Sequence, residues 1–391
     1  MTGAETLNAA AGPRPTFRGP LANQRPRLVV NFGPDPWLLL SVASLVGLGA
    51  VMVFNVSYFF GQTTTGDPMH FFRKHVISIA LGIVAAAITS RVPSERYRRL
   101  AYPLLAVAVA LMLAVLIPGI GARRGGAQRW FPLGPLSFQP SEVAKFAVVL
   151  YLACSLVRKG ERVKEFQFGV LPHCIVVGVV AGLSLLEPDF GTAALVIAIL
   201  ALMLLVGGAR FRHLALLGSV ALPGLAWVVI VEPYRLTRFL TFLDYTKDPQ
   251  GLGFQLQQSL IAFGSGGVSG VGLGQSEQKM FFLPAAHTDF IFSVIGEEFG
   301  LVGACVVVLL FVVVGARGLR IAARHPDPFA SLLAFGTTVL IVLQGVLNIG
   351  VVLGCLPTKG LALPFISYGG SAMMIVLGEV GVLLALAREA G

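Results

Sequence analysis

The chain has 391 residues, of which 55% are hydrophobic and 12% charged, with 29 lysines and arginines against 19 acids for a net charge of +10. A soluble domain averages about 25% charged residues, so this chain cannot clothe a water-soluble surface of its size, and a mean hydropathy of +0.81 points the same way. A soluble enzyme, a nucleic-acid-binding domain and a disordered protein are excluded; a polytopic helical membrane protein remains, since each crossing takes about 20 apolar residues.

Residues 1–34 carry Arg14, Arg18, Arg25 and Arg27 among prolines, without the apolar core of a signal peptide, and read as a disordered cytoplasmic tail. Residues 35–391 read as one transmembrane domain. Its apolar segments fall at about 37–59, 75–90, 100–117, 141–157, 168–186, 190–208, 212–231, 290–316, 328–353 and 369–387, ten spans in an all-α fold. With the N-terminus inside, 18 of the lysines and arginines fall on the inner side, 10 on the outer side, and Lys145 within a span. That bias supports ten helices with both termini cytoplasmic. Two outer connections, 118–140 and 232–286, are longer than ordinary loops and rich in Gly, Gln, Arg and aromatic residues, which predicts ordered binding loops. Cys154, Cys174, Cys305 and Cys355 lie far apart in apolar stretches and read as packing residues.

An ionisable group in a bilayer costs several kcal/mol, so those away from the inner loops are functional candidates: Glu142, Lys145, Glu187, Asp189, Asp289, Glu297, Glu298, Lys359 and Glu379. Most fall near the outer ends of their helices, which points to a site at the outer interface rather than a channel. The first cluster, RWFPLGPLSFQPSEVAK, runs from Arg129 to Lys145. Pro140, Ser141 and Glu142 make a strong helix start, and Glu142 and Lys145, three apart, share a face. One reading is a capped helix with a buried ion pair and Trp130 at the interface. The other has Arg129 and Lys145 receive an anionic headgroup such as a diphosphate.

The second cluster leads from the large loop into the eighth helix. Its glycines at 264, 266, 267, 270, 272 and 274 permit either close approach to a ligand or re-entrant structure; no GKS or GKT follows, so there is no Walker loop. It closes on His287-Thr288-Asp289. Asp289, at the water boundary, is either a helix N-cap or a carboxylate whose partial burial suits it to general-base work. The third cluster, Asn348 to Met374, is broken by Pro357, Pro364 and the Gly369-Gly370 pair. It predicts a constrained outer loop on which Lys359 could serve a phosphate. Glu379, deeper in the last helix, reads as a helix-to-helix hydrogen bond.

These clusters, in this order, resemble the SEDS family of cell-wall membrane proteins (shape, elongation, division and sporulation) from about Asp35 onward. The motifs are GAQRW with QPSEVAK, EPDFGTA, LPAAHTDFIFSVIGEE and LPTKGLALPFISYGGS. LIAFGSGG, QKMFFLP, IGEE and LPTKG lean to the family's division member and GAQRW to its elongation member, while FNVS near residue 54 and Asp244-Tyr245 depart from the usual pattern.

The resemblance implies a peptidoglycan glycosyltransferase that polymerises lipid II on the outer face of the bacterial cytoplasmic membrane, at the division site, with inversion and release of polyprenyl diphosphate. By it Asp289 corresponds to the family's essential aspartate and would be the base. Arg129, Lys145 and Lys359 would hold diphosphate; Gln255, Gln258 and Ser259 would bind sugar or shape the cavity; His287 and Glu298 would support Asp289. Gln139, Ser141, Glu142, Ser367, Tyr368, Gly369 and Gly370 complete the expected substrate site. The implied partners are a class B penicillin-binding protein, a transpeptidase with one membrane helix, and other division proteins. The one cofactor left open is a divalent cation, magnesium or manganese. A lipid II flippase would use the same cations but needs a polar path across the bilayer, and no chain of polar residues reaches the inner face. An elongation polymerase is the nearer alternative.

Overall fold

The computed structural model describes residues 35–124, 127–134, 136–244, 252–279, 286–357 and 360–390. Each apolar segment becomes a helix whose ends are set by local chemistry. α1 (Pro36–Thr65) begins where the Asp35 carboxylate accepts from the Leu38 amide and ends at Gly66 in the left-handed conformation, φ 72. α2 (His70–Thr89) and α3 (Ser94–Val115) follow. α4 (Pro140–Lys159) opens on proline with Glu142 in its first turn and closes on Arg158 and Lys159, charges that complement the helix dipole. A 3-10 turn, Gly160–Lys164, and a π turn, Phe166–Val170, lead into α5 (Leu171–Leu186). α6 (Phe190–Val206) is capped by Asp189, whose carboxylate accepts from the Thr192 amide at 3.0 Å. Then come α7 (Phe211–Val231), α8 (Pro233–Leu243), α9 (Leu252–Gly266), α10 (Ile291–Arg324), α11 (Pro328–Val352) and α12 (Gly370–Ala390).

Among the described residues nine helices are long and apolar enough to cross a membrane, and α6, at 17 residues, is a shorter apolar helix between two of them. The ten apolar segments thus map one to one onto ten helices. α4, α11 and α12 bury most of their length in the middle of the bundle, whereas α7 buries none of its apolar window. At the end of the bundle that carries most of the cations, Arg317 grips the N-cap Asp35 at 2.7 Å and Arg98 grips Asp327, the cap of α11, at 2.6 Å.

The described parts of the two long connections carry regular structure, and both lie at the opposite end. Residues 122–138 depart from the all-α expectation: β1 (Ala122–Arg124), β2 (Ala127–Leu133) and β3 (Leu136–Phe138) form an antiparallel meander with Phe131 opposite Phe138. The connection 232–286 contributes α8 and α9, and α9 packs on α10. Between α11 and α12 the chain crosses α1, where a Cβ on Gly49 would lie 2.6 Å from the Phe365 carbonyl oxygen. Only glycine permits that approach.

α10 is interrupted at Gly300, whose φ of 64 and ψ of −161 break the helix. Residues 267–272 replace the lost bonds. The Val271 and Gly272 amides donate to the Glu297 and Glu298 carbonyls at 3.0 Å, and the Leu301 and Val302 amides donate to the Gly267 and Val268 carbonyls at 2.9 and 3.2 Å. A Cβ on Gly266 or Gly270 would overlap the Gly296 or Glu298 carbonyl. Gly266 and Gly270 thus serve close approach to the backbone of α10.

Candidate active site

The site is assembled at the loop-bearing end from β2, the starts of α4 and α6, the turn before α10 and the segment before α12. Asp289 stands in a turn, while α10 begins at Ile291 with Phe290 in the N-cap position. Its carboxylate therefore does not cap the helix. Instead the backbone of the turn is pinned from three sides. Asn348 Nδ2 donates to the Asp289 carbonyl at 2.9 Å, Ser367 Oγ donates to the Thr288 carbonyl at 2.6 Å, and the Tyr368 amide donates to the His287 carbonyl at 3.0 Å. Asn348 also donates to the Leu361 carbonyl at 2.7 Å, tying the turn to the segment beside it.

Asp289 is partly buried, and loss of water pushes its carboxyl up to about 6 against the opposing pull of the Arg129 and Arg238 guanidiniums. Gly360 lies between the acid and the first of these bases. A Cβ there would be 3.6 Å from Asp289 Oδ2 and 3.8 Å from Arg129 Nη1, so the absence of a side chain keeps the space where they meet open. Arg129 sits on β2 with its guanidinium over the Trp130 ring at 5.1 Å. Its Nη1 reaches Asp189 Oδ2 at 3.4 Å, a long contact, and its buried Nε has no hydrogen-bond partner among the described residues. Asp189 also accepts from Thr192 Oγ1 at 3.0 Å and from Gln139 Nε2 at 3.3 Å. Gln139 in turn donates to Ser141 Oγ at 2.9 Å.

Glu187, two residues before Asp189, is fully buried, and neither carboxylate oxygen is bonded among the described residues. Burial, and then the neighbouring Asp189, push its carboxyl up to about 8, with Arg129 opposing. The site thus holds three acids and a poorly satisfied arginine, an arrangement with spare hydrogen-bonding capacity for an anion that reaches Arg129.

Several expected site residues go elsewhere. Lys145 is buried, bound to Glu142 Oε2 at 2.8 Å and Gln344 Oε1 at 2.7 Å. It lines a cavity with Glu142, Gln344, Ser367 and Glu379. Glu379 therefore faces Lys145 across a cavity, where a helix-to-helix hydrogen bond was expected. Ser259 is buried too, donating to the Val352 carbonyl at 2.6 Å beside Ser293 Oγ, so it staples α9 to α10 and α11 rather than meeting sugar. Gln255 and Gln258 are partly exposed on α9. Glu298 does not touch Asp289; it pairs with Lys279 at 3.0 Å two turns into α10. His287 supports the turn through its backbone, while its ring packs against Phe60, Phe71 and Tyr368 at 4.9 to 5.8 Å, and burial lowers its imidazole to about 4. Gly370 starts α12, directly after Gly369, and a Cβ on Gly370 would be 3.5 Å from the Ser137 carbonyl of β3. Lys359 lies outside the described residues.

Reasoning from sequence missed Arg238, on α8, and the pairing of Asp189 with Arg129. A cation in an outer amphipathic stretch was the available signal for the first. Nothing local announced the second, because the partners come from different elements.

Among the described residues no three His, Cys, Asp or Glu side chains are grouped to hold a metal ion. The acids nearest Asp289 share Arg129 as counter-charge, so these donors do not fit a divalent cation held by the protein alone.

A profile of the FtsW, RodA and SpoVE family, described as cell cycle protein, matches residues 36–391. A probable peptidoglycan glycosyltransferase FtsW of Trichlorobacter lovleyi is 43% identical over 350 residues, covering 90% of this chain and 92% of that one. The protein of the same description in Coxiella burnetii is 41% identical over 363 residues, covering 92% and 98%. A chain solved in a study of the structural coordination of polymerization and crosslinking by a peptidoglycan synthase complex superposes with a TM-score of 0.76 at 32% identity, over 91% of this chain and 98% of that one. The Thermus thermophilus rod shape determining protein RodA superposes with a TM-score of 0.67 at 31% identity, over 90% and 96%.

Proposed function

The chain belongs to the SEDS family of FtsW, RodA and SpoVE, and from that premise we propose how it works as a membrane-embedded peptidoglycan glycosyltransferase that polymerises lipid II, with Asp289 as the base. The acceptor sugar's 4-hydroxyl oxygen attacks the anomeric carbon of the lipid-linked donor. As the new carbon–oxygen bond forms, Asp289 takes the hydroxyl proton. The bond from the anomeric carbon to the diphosphate breaks on the opposite face, inverting the centre, and the polyprenyl diphosphate leaves with the electron pair.

Such a displacement needs one base and stabilisation of the charge growing on the leaving group. Arg129 supplies the second, because its contact to Asp189 is long and its Nε, without a partner among the described residues, can turn to a phosphate. Gln139 and Thr192 hold Asp189 in place while Arg129 is engaged with substrate. Lys145, Glu142 and Gln344 act from beneath, bracing the 361–367 segment through the Gln344 bond to the Ala362 carbonyl. A divalent ion, magnesium or manganese, would enter with the diphosphate rather than reside on the protein.

The observation that carries this reading is the pinned, partly exposed Asp289 carboxylate, released from capping and set across an open glycine from Arg129. A base contributes about 10²- to 10⁴-fold. Purified Asp289→Asn should therefore lose glycan polymerisation by about 10³-fold while keeping the wild-type Tm; polymerisation at the wild-type rate would refute the assignment. In the cell we place the chain in the bacterial cytoplasmic membrane at the division site, working beside a transpeptidase with a single membrane helix and other division proteins. Co-purification with that partner, and polymerisation measured with and without it, tests the assignment.

A further inference from the structure

A second polar cluster lies inside the bundle, at the break in α10. Lys279 Nζ meets Glu298 Oε1 at 3.0 Å and Asn55 Oδ1 at 2.8 Å, and Asn55 Nδ2 donates to Glu298 Oε2 at 2.6 Å. The three side chains form a closed triangle between α1, α10 and the end of the glycine-rich segment. The Lys279 and Glu298 side chains are at most 2% exposed. Next to them Ser276 Oγ donates to Glu297 Oε2, and the Glu277 amide donates to Glu297 Oε1 at 3.0 Å. Each carboxylate in the cluster is hydrogen-bonded on both oxygens, Glu298 by Lys279 and Asn55 and Glu297 by Ser276 and the Glu277 amide, in contrast to the site around Asp289.

The triangle sits at one end of a short rigid piece. The first part of α10, Ile291–Phe299, runs from the break to the turn that holds Asp289. At 1.5 Å per residue, Asp289 lies roughly 13 Å along the axis from Glu298. That is too far for contact, and the lock is neutral in sum, so it acts on Asp289 through geometry rather than charge. A tilt of about 4° at the break would move a group that far away by roughly 1 Å, a displacement that can cost about 10²-fold in rate. The backbone bonds from Asn348, Ser367 and Tyr368 fix where the turn sits; the direction of the half-helix entering it is set at the break.

We propose that Lys279, Glu298 and Asn55 are positioning residues that, with the 267–272 segment stitched into the gap at Gly300, lock the half-helix carrying Asp289 in its catalytic orientation. This rests on Asp289 being the base, and Asp289→Asn is assayed alongside: wild-type activity in that variant would sink the base assignment, whatever the lock variants show.

The test separates holding the fold from aiming the aspartate. Removing one partner of a buried ion pair strands a charge, whereas replacing both by apolar residues of similar size is often neutral for stability. Lys279→Met should therefore lower Tm, and Lys279→Met with Glu298→Met should restore it. If the lock aims Asp289, the double variant keeps wild-type KM for lipid II but about tenfold lower kcat, and the acid limb of its kcat–pH profile keeps its midpoint. Recovery of wild-type kcat together with Tm would overturn the proposal, as would a rise in KM at unchanged kcat. Asn55→Ala strands no charge and covers the case in which the double variant does not fold. It should lower kcat about threefold at unchanged KM, with a smaller fall in Tm than Lys279→Met because the ion pair remains, and wild-type kcat in it would equally overturn the proposal.

Discussion

Two acidic clusters stand at the two ends of one half-helix, and they are built in opposite ways. At the break in α10, Glu298 is sealed from water and bonded on both oxygens by Lys279 and Asn55. At the turn before Ile291, Asp289 is partly exposed, Arg129 makes one long contact to Asp189, and Arg129 Nε and both Glu187 oxygens lack partners among the described residues. A closed network has nothing left to offer a ligand and serves to hold. An incomplete one leaves hydrogen-bonding capacity that a substrate can complete, at a cost in stability. Charge alone does not distinguish a site from a brace; the degree of satisfaction does.

The comparison can be broken at several points. After Asp289→Asn, the largest effect belongs to Arg129→Ala, which removes the charge facing the leaving diphosphate. Loss of one such donor typically costs 10²–10³-fold, so kcat for lipid II polymerisation should fall by about 10²-fold; a change confined to KM would show that Arg129 only binds. The pH profile comes next. A base must be deprotonated, and with the Asp289 carboxyl at about 6, kcat should be flat above pH 7 and about tenfold lower at pH 5. A midpoint near the ordinary carboxylate range would show that the folded site does not shield Asp289 from water.

The smallest effect sharpens the contrast from the side of stability. Glu187, held up to about 8, stays protonated in the folded chain while an unfolded chain ionises it above its ordinary range near 4.3. Its proton is bound more tightly when folded, so it lowers stability progressively from about pH 4 to pH 8. Glu187→Gln should leave polymerisation at pH 7 within twofold of wild type yet raise Tm by a few degrees there, with no gain at pH 4. A Tm that falls at pH 7 would mean that Glu187 is an ionised partner of Arg129 rather than a buried neutral acid.

The residues legible in the sequence were those whose role is local. Pro140 and Glu142 start α4 as expected, Glu142 and Lys145 meet as an i, i+3 pair, and the described parts of 118–140 and 232–286 form strands and helices. The errors concern which distant group a side chain meets. Glu298 was assigned to Asp289 because both lie in one motif, but a helix axis separates them and Glu298 faces Lys279. Ser259, which the resemblance assigns to sugar binding or to shaping the cavity, is buried between three helices. Asn55 registered only as a departure from a usual motif, although it closes the Lys279–Glu298 pair. The meander at 122–138 carries no strand signal, because β1 and β3 have three residues each and the seven of β2, AQRWFPL, do not alternate between apolar and polar.

Composition and the run of apolar segments by themselves determined that this chain is a membrane protein of ten apolar helices, with most of its cations on one side and its candidate site charges near the outer helix ends. They suffice because crossing a bilayer is demanded of each segment separately, and a run of about 20 residues either meets that demand or does not. Which distant polar groups meet was decided only by the tertiary structure. Asn55 and Glu298 are 243 positions apart and Gln139 and Asp189 are 50 apart, so their pairing depends on how whole helices pack. Packing also broke α10 at Gly300 and left Asp289 free of the helix cap, the step that turned one acid among several into a base with an open space in front of it.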